Sequence, residues 1–107
     1  MVVLAKPRAL YWTEHSRMKM RFYKLSEARV KRIIHSPKRI EEGVAPKTTA
    51  MMQPTGSKKH PYELWVMIQD TKQKRKVISA WRYPGVTKPR SEITKEVLRG
   101  QYREYLS

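Results

Sequence analysis

The sequence predicts an α+β fold: an antiparallel sheet of about four strands, two short N-terminal helices and a C-terminal helix. Three observations predict it. Apolar residues recur at three- and four-residue spacing through residues 12–34, bounded by Ser and Thr caps and a proline. From residue 38 to 83 the pattern changes to the alternation of strands. After a Pro- and Gly-containing linker at residues 84–90, the helical period returns over 91–105. At 107 residues the chain is read as one domain, with residues 13–36 as helical pair, 38–83 as sheet and 91–105 as closing helix. Helices gathered at one face of an antiparallel sheet satisfy that order.

The elements follow in chain order. Val2–Leu4 suits a short strand, and Pro7 argues against regular structure around it. Ala9–Trp12 is an apolar run that feeds the first helix. Thr13 is a good N-cap, with Glu14 placed favourably at the positive end of the helix dipole. Trp12, His15, Met18, Phe22 and Leu25 form one apolar stripe, expected to be the buried one. Ser26 caps the second helix, Val30, Ile33 and Ile34 form its stripe, and Pro37 stops it. Residues 38–44 and 47–53 read as strands, and Pro54–His60 as a loop. Tyr62–Gln69 is apolar on both faces, which predicts a central strand. Asp70–Lys74 is a hairpin loop. Lys76–Tyr83 returns, with Val77, Ser79, Trp81 and Tyr83 on one face and Ile78, Ala80 and Arg82 on the other. Ser91 caps the last helix, whose stripe is Ile93, Val97, Leu98, Tyr102, Tyr105 and Leu106.

Charge narrows the function. The chain carries 24 Lys and Arg against 9 Asp and Glu, a formal net charge of +15. Such an excess calls for a polyanion, and nucleic acid is the commonest. No Cys is present, so disulfides, thiolate metal sites and Cys nucleophiles are excluded. The three His are scattered without carboxylate spacing, so no metal or cofactor is expected. No apolar run approaches the ~20 residues of a membrane span, and the basic helices lack an apolar face left free for lipid; a cytoplasmic location is expected. Walker, GxSxG, HExxH and paired-carboxylate signatures are missing, and acids are too scarce for two-metal cleavage.

The basic residues concentrate in the helical pair. Nine Lys or Arg lie between His15 and Arg39, with Glu27 the one acid among them. Arg17, Arg21, Lys24, Arg29, Arg32, Lys38 and Arg39 are therefore the candidate phosphate contacts. Among the aromatics, Trp12 and Trp65 belong to core stripes, whereas Trp81 and Tyr83 are equally suited to stacking on bases. His15 has two readings: a buried, hydrogen-bonded stripe residue, or a general acid or base in phosphodiester cleavage. Arg82, ending a strand, is either a simple phosphate contact or a stabiliser of the charge on a transferring phosphoryl group. A non-catalytic nucleic-acid-binding module fits the same residues, as does an interaction domain for an acidic protein.

The segment TEHSRMKMRFYKLSEARVKRIIHSPKRIEEG resembles the opening of the domain of unknown function 4258 family, whose pattern is a helix-heading His, a following basic residue, a second helix beginning Ser-Glu, then Pro and a short strand. These features fall on His15, Lys19 and Arg21, Ser26–Glu27, Pro37 and Arg39–Glu42. The hairpin ELWVMIQDTKQKRKVISAWRYPG is similar to that family's closing strands. The resemblance covers about residues 13–85, and the layout is similar to BrnT and RelE-like toxins. It implies a small basic toxin-like endoribonuclease that acts on RNA without metal and is held by an acidic antitoxin-like protein. It implies His15, Lys19 and Arg82 as the catalytic positions.

Overall fold

A computed structural model describes residues 9–88. The elements are β1 (Ala9–Trp12), α1 (Glu14–Tyr23), α2 (Glu27–His35), β2 (Arg39–Glu42), β3 (Thr49–Gly56), β4 (Pro61–Asp70) and β5 (Lys74–Pro84). The expected strand at Val2–Leu4 and helix over 91–105 lie outside the described residues.

The caps hold where the chemistry puts them. The Thr13 hydroxyl accepts from the Ser16 N–H at 3.0 Å, and Ser26 accepts from the Arg29 N–H at 3.1 Å. Lys24 ends α1 in the left-handed region at φ 57°, and the Leu25 N–H reaches back to the Met20 carbonyl at 2.8 Å. At the end of α2, the Gln53 side-chain amide donates to the Arg32 and Ser36 carbonyls and ties the helix to β3.

The sheet departs from the expected four antiparallel strands. Its order is β1-β5-β4-β3-β2, and β1 joins β5 in parallel, making a five-stranded mixed sheet. Ala9–Trp12 is thus a strand rather than a lead-in to α1. The Thr13 hydroxyl donates to the Val77 carbonyl at 2.9 Å, so α1 springs directly from the sheet edge.

β3 also runs three residues further than its composition suggests, through Pro54 to Gly56. Proline is tolerated because β2 begins only at Arg39, opposite Met52; beyond Met52 β3 is an edge that needs no N–H. A bulge in β5, opposite the Met67–Ile68 step of β4, shifts the register. Ile78 becomes the extra residue, and Val77 turns to the face that Ala80 and Arg82 share.

Both helices pack on one face of the sheet. Met20, Leu25, Val30 and Ile33 bury there against Leu64, Val66, Ile68 and Val77. α1 is rotated from the expected orientation. Ser16 and Met20 are buried, while Met18 and Phe22 are 51% and 74% exposed. Ser16 can be buried because its hydroxyl donates to the Thr13 carbonyl at 2.7 Å. His15 is exposed, so the buried reading of it fails. Phe22→Ser should therefore leave the unfolding free energy within about 0.5 kcal/mol of the parent in urea denaturation.

The turn between β2 and β3 is tight. The Gly43 N–H donates to the Thr48 carbonyl at 2.9 Å, and the Thr48 hydroxyl donates to the Ala45 carbonyl at 2.6 Å. A Cβ on Gly43 would fall on that hydroxyl. Gly43→Ala should lower stability by about 2 kcal/mol, measured by the same denaturation.

Candidate functional site

The richest surface lies where α1 ends. The joint to α2 places Arg17, Arg21 and Lys24 around an open depression of about 340 Å³ that also meets Ser26 and Glu27. Arg17 pairs with Glu27 at 3.1 Å, both half-exposed. Among the described residues the other helix cations Arg21, Lys24, Lys31 and Arg32 are exposed and make no ion pair. The first residues of α2, Ser26 and Glu27, line the same depression, so the positive end of that helix dipole lies beside it.

Tyr23, beside Lys24, belongs to a second open depression, of about 530 Å³. Its other walls are Lys59, His60, Tyr62, Arg82 and Gly85. Strand geometry assembles it. The β3–β4 turn carries Lys59 and His60 to the end of the sheet, where β4 begins with Pro61 and Tyr62. Tyr62 pairs with Pro84, and Leu64 with Arg82, so Tyr62 and Arg82 emerge on the helix-bearing face. The Arg82 guanidinium lies over the Tyr62 ring, 5.0 Å from its centre. Phe22 stands edge-on to Tyr23 at 4.8 Å. Lys24 of the first depression follows Tyr23 of the second in sequence, and together the two set out a track: Arg17, Arg21 and Lys24 in one, and Tyr23, Tyr62, Arg82, Lys59 and His60 in the other.

The residues expected from the sequence divide between places. Arg17, Arg21 and Lys24 are on the track, and Arg82 ends it. Arg32 and Lys38 are exposed, Arg29 half-buried. Lys19 is half-buried, on the flank of α1 next to its buried face.

His15 is far from Arg82. It sits in the first turn of α1, whose cap is bonded to Val77, while Tyr23, at the other end of α1, borders the Arg82 depression. Eight residues of helix separate His15 from Tyr23, about 12 Å. The chain thus does not bring His15 and Arg82 together. The histidine beside Arg82 is His60, which the sequence presents only as a loop residue. A signal for it existed in principle: a hairpin turn between strands delivers its residues to the end of the sheet.

Arg39, Trp81 and Tyr83 occupy the opposite face of the sheet. Arg39 there meets a buried acid, Glu63, which is 2% exposed. Glu63 Oε1 accepts from Trp65 Nε1 at 3.0 Å and from the Thr87 hydroxyl at 2.6 Å, and Arg39 Nη1 lies 3.9 Å from its Oε2. Arg39 also donates to the Thr87 carbonyl and hydroxyl. Its Nε lies 3.0 Å from Glu41 Oε1, a charge contact without hydrogen-bond alignment.

Among the described residues, no helix is long and apolar enough to cross a membrane. No family model, no curated protein and no solved structure matches the chain.

Proposed function

We propose that the protein is a cytoplasmic RNA-binding protein that holds a single strand along the track at the end of α1. One observation carries the reading. Arg17, Arg21 and Lys24 line one depression and Lys59 and Arg82 a second, Glu27 is the one acid in either, and Tyr23 and Tyr62 line the second beside its cations. Cations at intervals suit successive phosphates, and rings between them suit unpaired bases. A duplex presents no free base faces to such rings, which favours single strands.

A second reading, metal-independent endoribonuclease action of the kind the RelE and BrnT resemblance implies, is favoured by His60 beside Arg82. In it the ribose 2′-hydroxyl attacks phosphorus and the 5′-oxygen leaves. His60 moves the proton and Arg82 stabilises the charge on phosphorus. His15 stands at the other end of α1 from this pair, so the reading rests on His60.

A labelled single-stranded RNA, incubated with the protein in EDTA and read on one gel, tests both readings. Binding alone gives a salt-sensitive shift of intact RNA. Cleavage that survives EDTA and drops by about 100-fold or more in His60→Ala, but not in His15→Ala, establishes the second reading. Neither shift nor cleavage overturns both and moves the weight to an acidic protein partner.

A further inference from the structure

Buried, the His15–Met18–Phe22 stripe would leave the helix pair no apolar face for lipid. The rotation of α1 turns that stripe outward. Met18 and Phe22 sit one turn apart and are 51% and 74% exposed. Single exposed apolar residues are ordinary, but these two are neighbours on one side of a helix.

Their surroundings are cationic. Arg17 and Arg21 form the next row of α1, again one turn apart, and both are exposed. α2 packs on the same face of the sheet, so its outer side faces the same way, and there Lys31 and Arg32 are exposed. Over residues 13–36 the pair holds seven Lys or Arg against two Glu. One of the two, Glu27, is bound to Arg17.

We infer that the outer side of the helix pair docks on an anionic lipid surface, with Met18 and Phe22 entering between the headgroups and Arg21, Lys31 and Arg32 on the lipid phosphates. The charge names the sign of the partner, and the shape names its kind. A ring and a thioether that project from the convex side of a helix form no groove for a protein's side chains. Acyl chains close around whatever enters them. A single-stranded nucleic acid would stack on rings, and Met18 has none. α1 has ten residues, about 15 Å of helix, so it lies in the interface and does not cross it.

Neither force suffices alone. Burial of one Phe is worth at least about tenfold in partition. Each cation near an anionic surface is worth about fivefold. The contact is therefore reversible and needs anionic lipid. The inference goes beyond the RNA reading: Arg17 and Arg21 serve either polyanion, and Phe22 serves the lipid alone.

The test is sedimentation of the full chain with vesicles of phosphatidylcholine alone and of phosphatidylcholine with about one-third phosphatidylglycerol. Affinity for the anionic vesicles should exceed that for the neutral ones by about tenfold or more, and should fall as salt rises. Phe22→Ser should weaken it by about tenfold while keeping the parent's melting midpoint. Phe22→Leu should stay within about threefold of the parent, because lipid asks for apolar volume and not for a ring. Equal binding to the two kinds of vesicle, or to neither, overturns the inference. A folded Phe22→Ser protein that binds anionic vesicles as the parent does overturns it, since charge alone then acts. A Phe22→Leu protein as weak as Phe22→Ser overturns it too, since the site then reads the ring. Two further outcomes assign the patch elsewhere and overturn the inference: a dimer of the vesicle-free protein that Phe22→Ser abolishes, which means a second copy, and an equal loss of oligouridine binding in Phe22→Ser, which means RNA.

Discussion

Replacing Arg21, Lys24 and Arg82 together by alanine is expected to weaken single-stranded RNA binding on the order of 100-fold at 0.1 M salt. The figure follows from counterion release. Each single-strand phosphate neutralised contributes about 0.7 to the slope of log affinity against log salt, so three lost contacts remove about 2. Over the decade from 1 M to 0.1 M that slope change amounts to about two logarithmic units. None of the three side chains is in the core: Arg21 and Lys24 are exposed on the helix joint, and Arg82 lies over Tyr62 at the strand end. The variant should thus fold normally, and filter-binding at several salt concentrations reads the effect. Loss of affinity with the slope unchanged would mean that the three do not neutralise phosphates.

The second large effect is on stability. Arg39→Ala should lower the unfolding free energy by about 3 kcal/mol in urea denaturation. Arg39 is the cation facing Glu63, which is nearly inaccessible, and it also contacts Glu41. Removing it leaves two carboxylates in a poorly solvated region with no positive charge beside them. The two hydrogen bonds that Glu63 accepts from Trp65 and Thr87 remain, which keeps the loss at the lower end of the range for broken buried pairs. Arg75 is the control. It grips Asp70 with two hydrogen bonds, at 2.7 and 3.0 Å, at the exposed β4–β5 turn. That bonding to Asp70 holds its guanidinium pKa above the ordinary value. Water screens this pair, so Arg75→Ala should cost no more than about 1 kcal/mol. Equal losses in the two variants would contradict the assignment of Arg39 to a buried network.

Local signals in the sequence located the helices but oriented only one. Thr13 and Ser26 mark the helix starts because a hydroxyl before a helical run has one good use, satisfying the first free N–H groups. α2 buries Val30 and Ile33 as its spacing predicts. α1 does not follow its most apolar stripe. The His15–Met18–Phe22 stripe faces solvent, while Ser16 takes an inner position through its bond to the Thr13 carbonyl. Capping at the sheet edge sets the rotation of α1, and hydropathy carries no record of where that edge lies. The parallel β1–β5 pairing and the bulge at Met67 and Ile68 were illegible for a similar reason. Both depend on which distant strand lies alongside.

The site was legible in charge and not in geometry. Arg17, Arg21 and Lys24 stand out as unneutralised residues on a short helix pair, and they do share one depression. Arg39, Trp81 and Tyr83 looked equivalent to them, but strand alternation sends these to the other face. His60 and Lys59 enter the candidate site only through the hairpin that brings them into the Arg82 depression. Glu63 and Glu41 gave no signal, because an acid in an alternating strand normally points to water.

The proposed RNA-binding surface at the end of α1 is tested most directly by the salt dependence of its binding to an oligouridine single strand. With Arg17, Arg21, Lys24, Lys59 and Arg82 in contact with phosphates, the plot of log affinity against log salt should fall with a slope of about −3 or steeper. A flat plot, or no binding at low salt, would contradict the account.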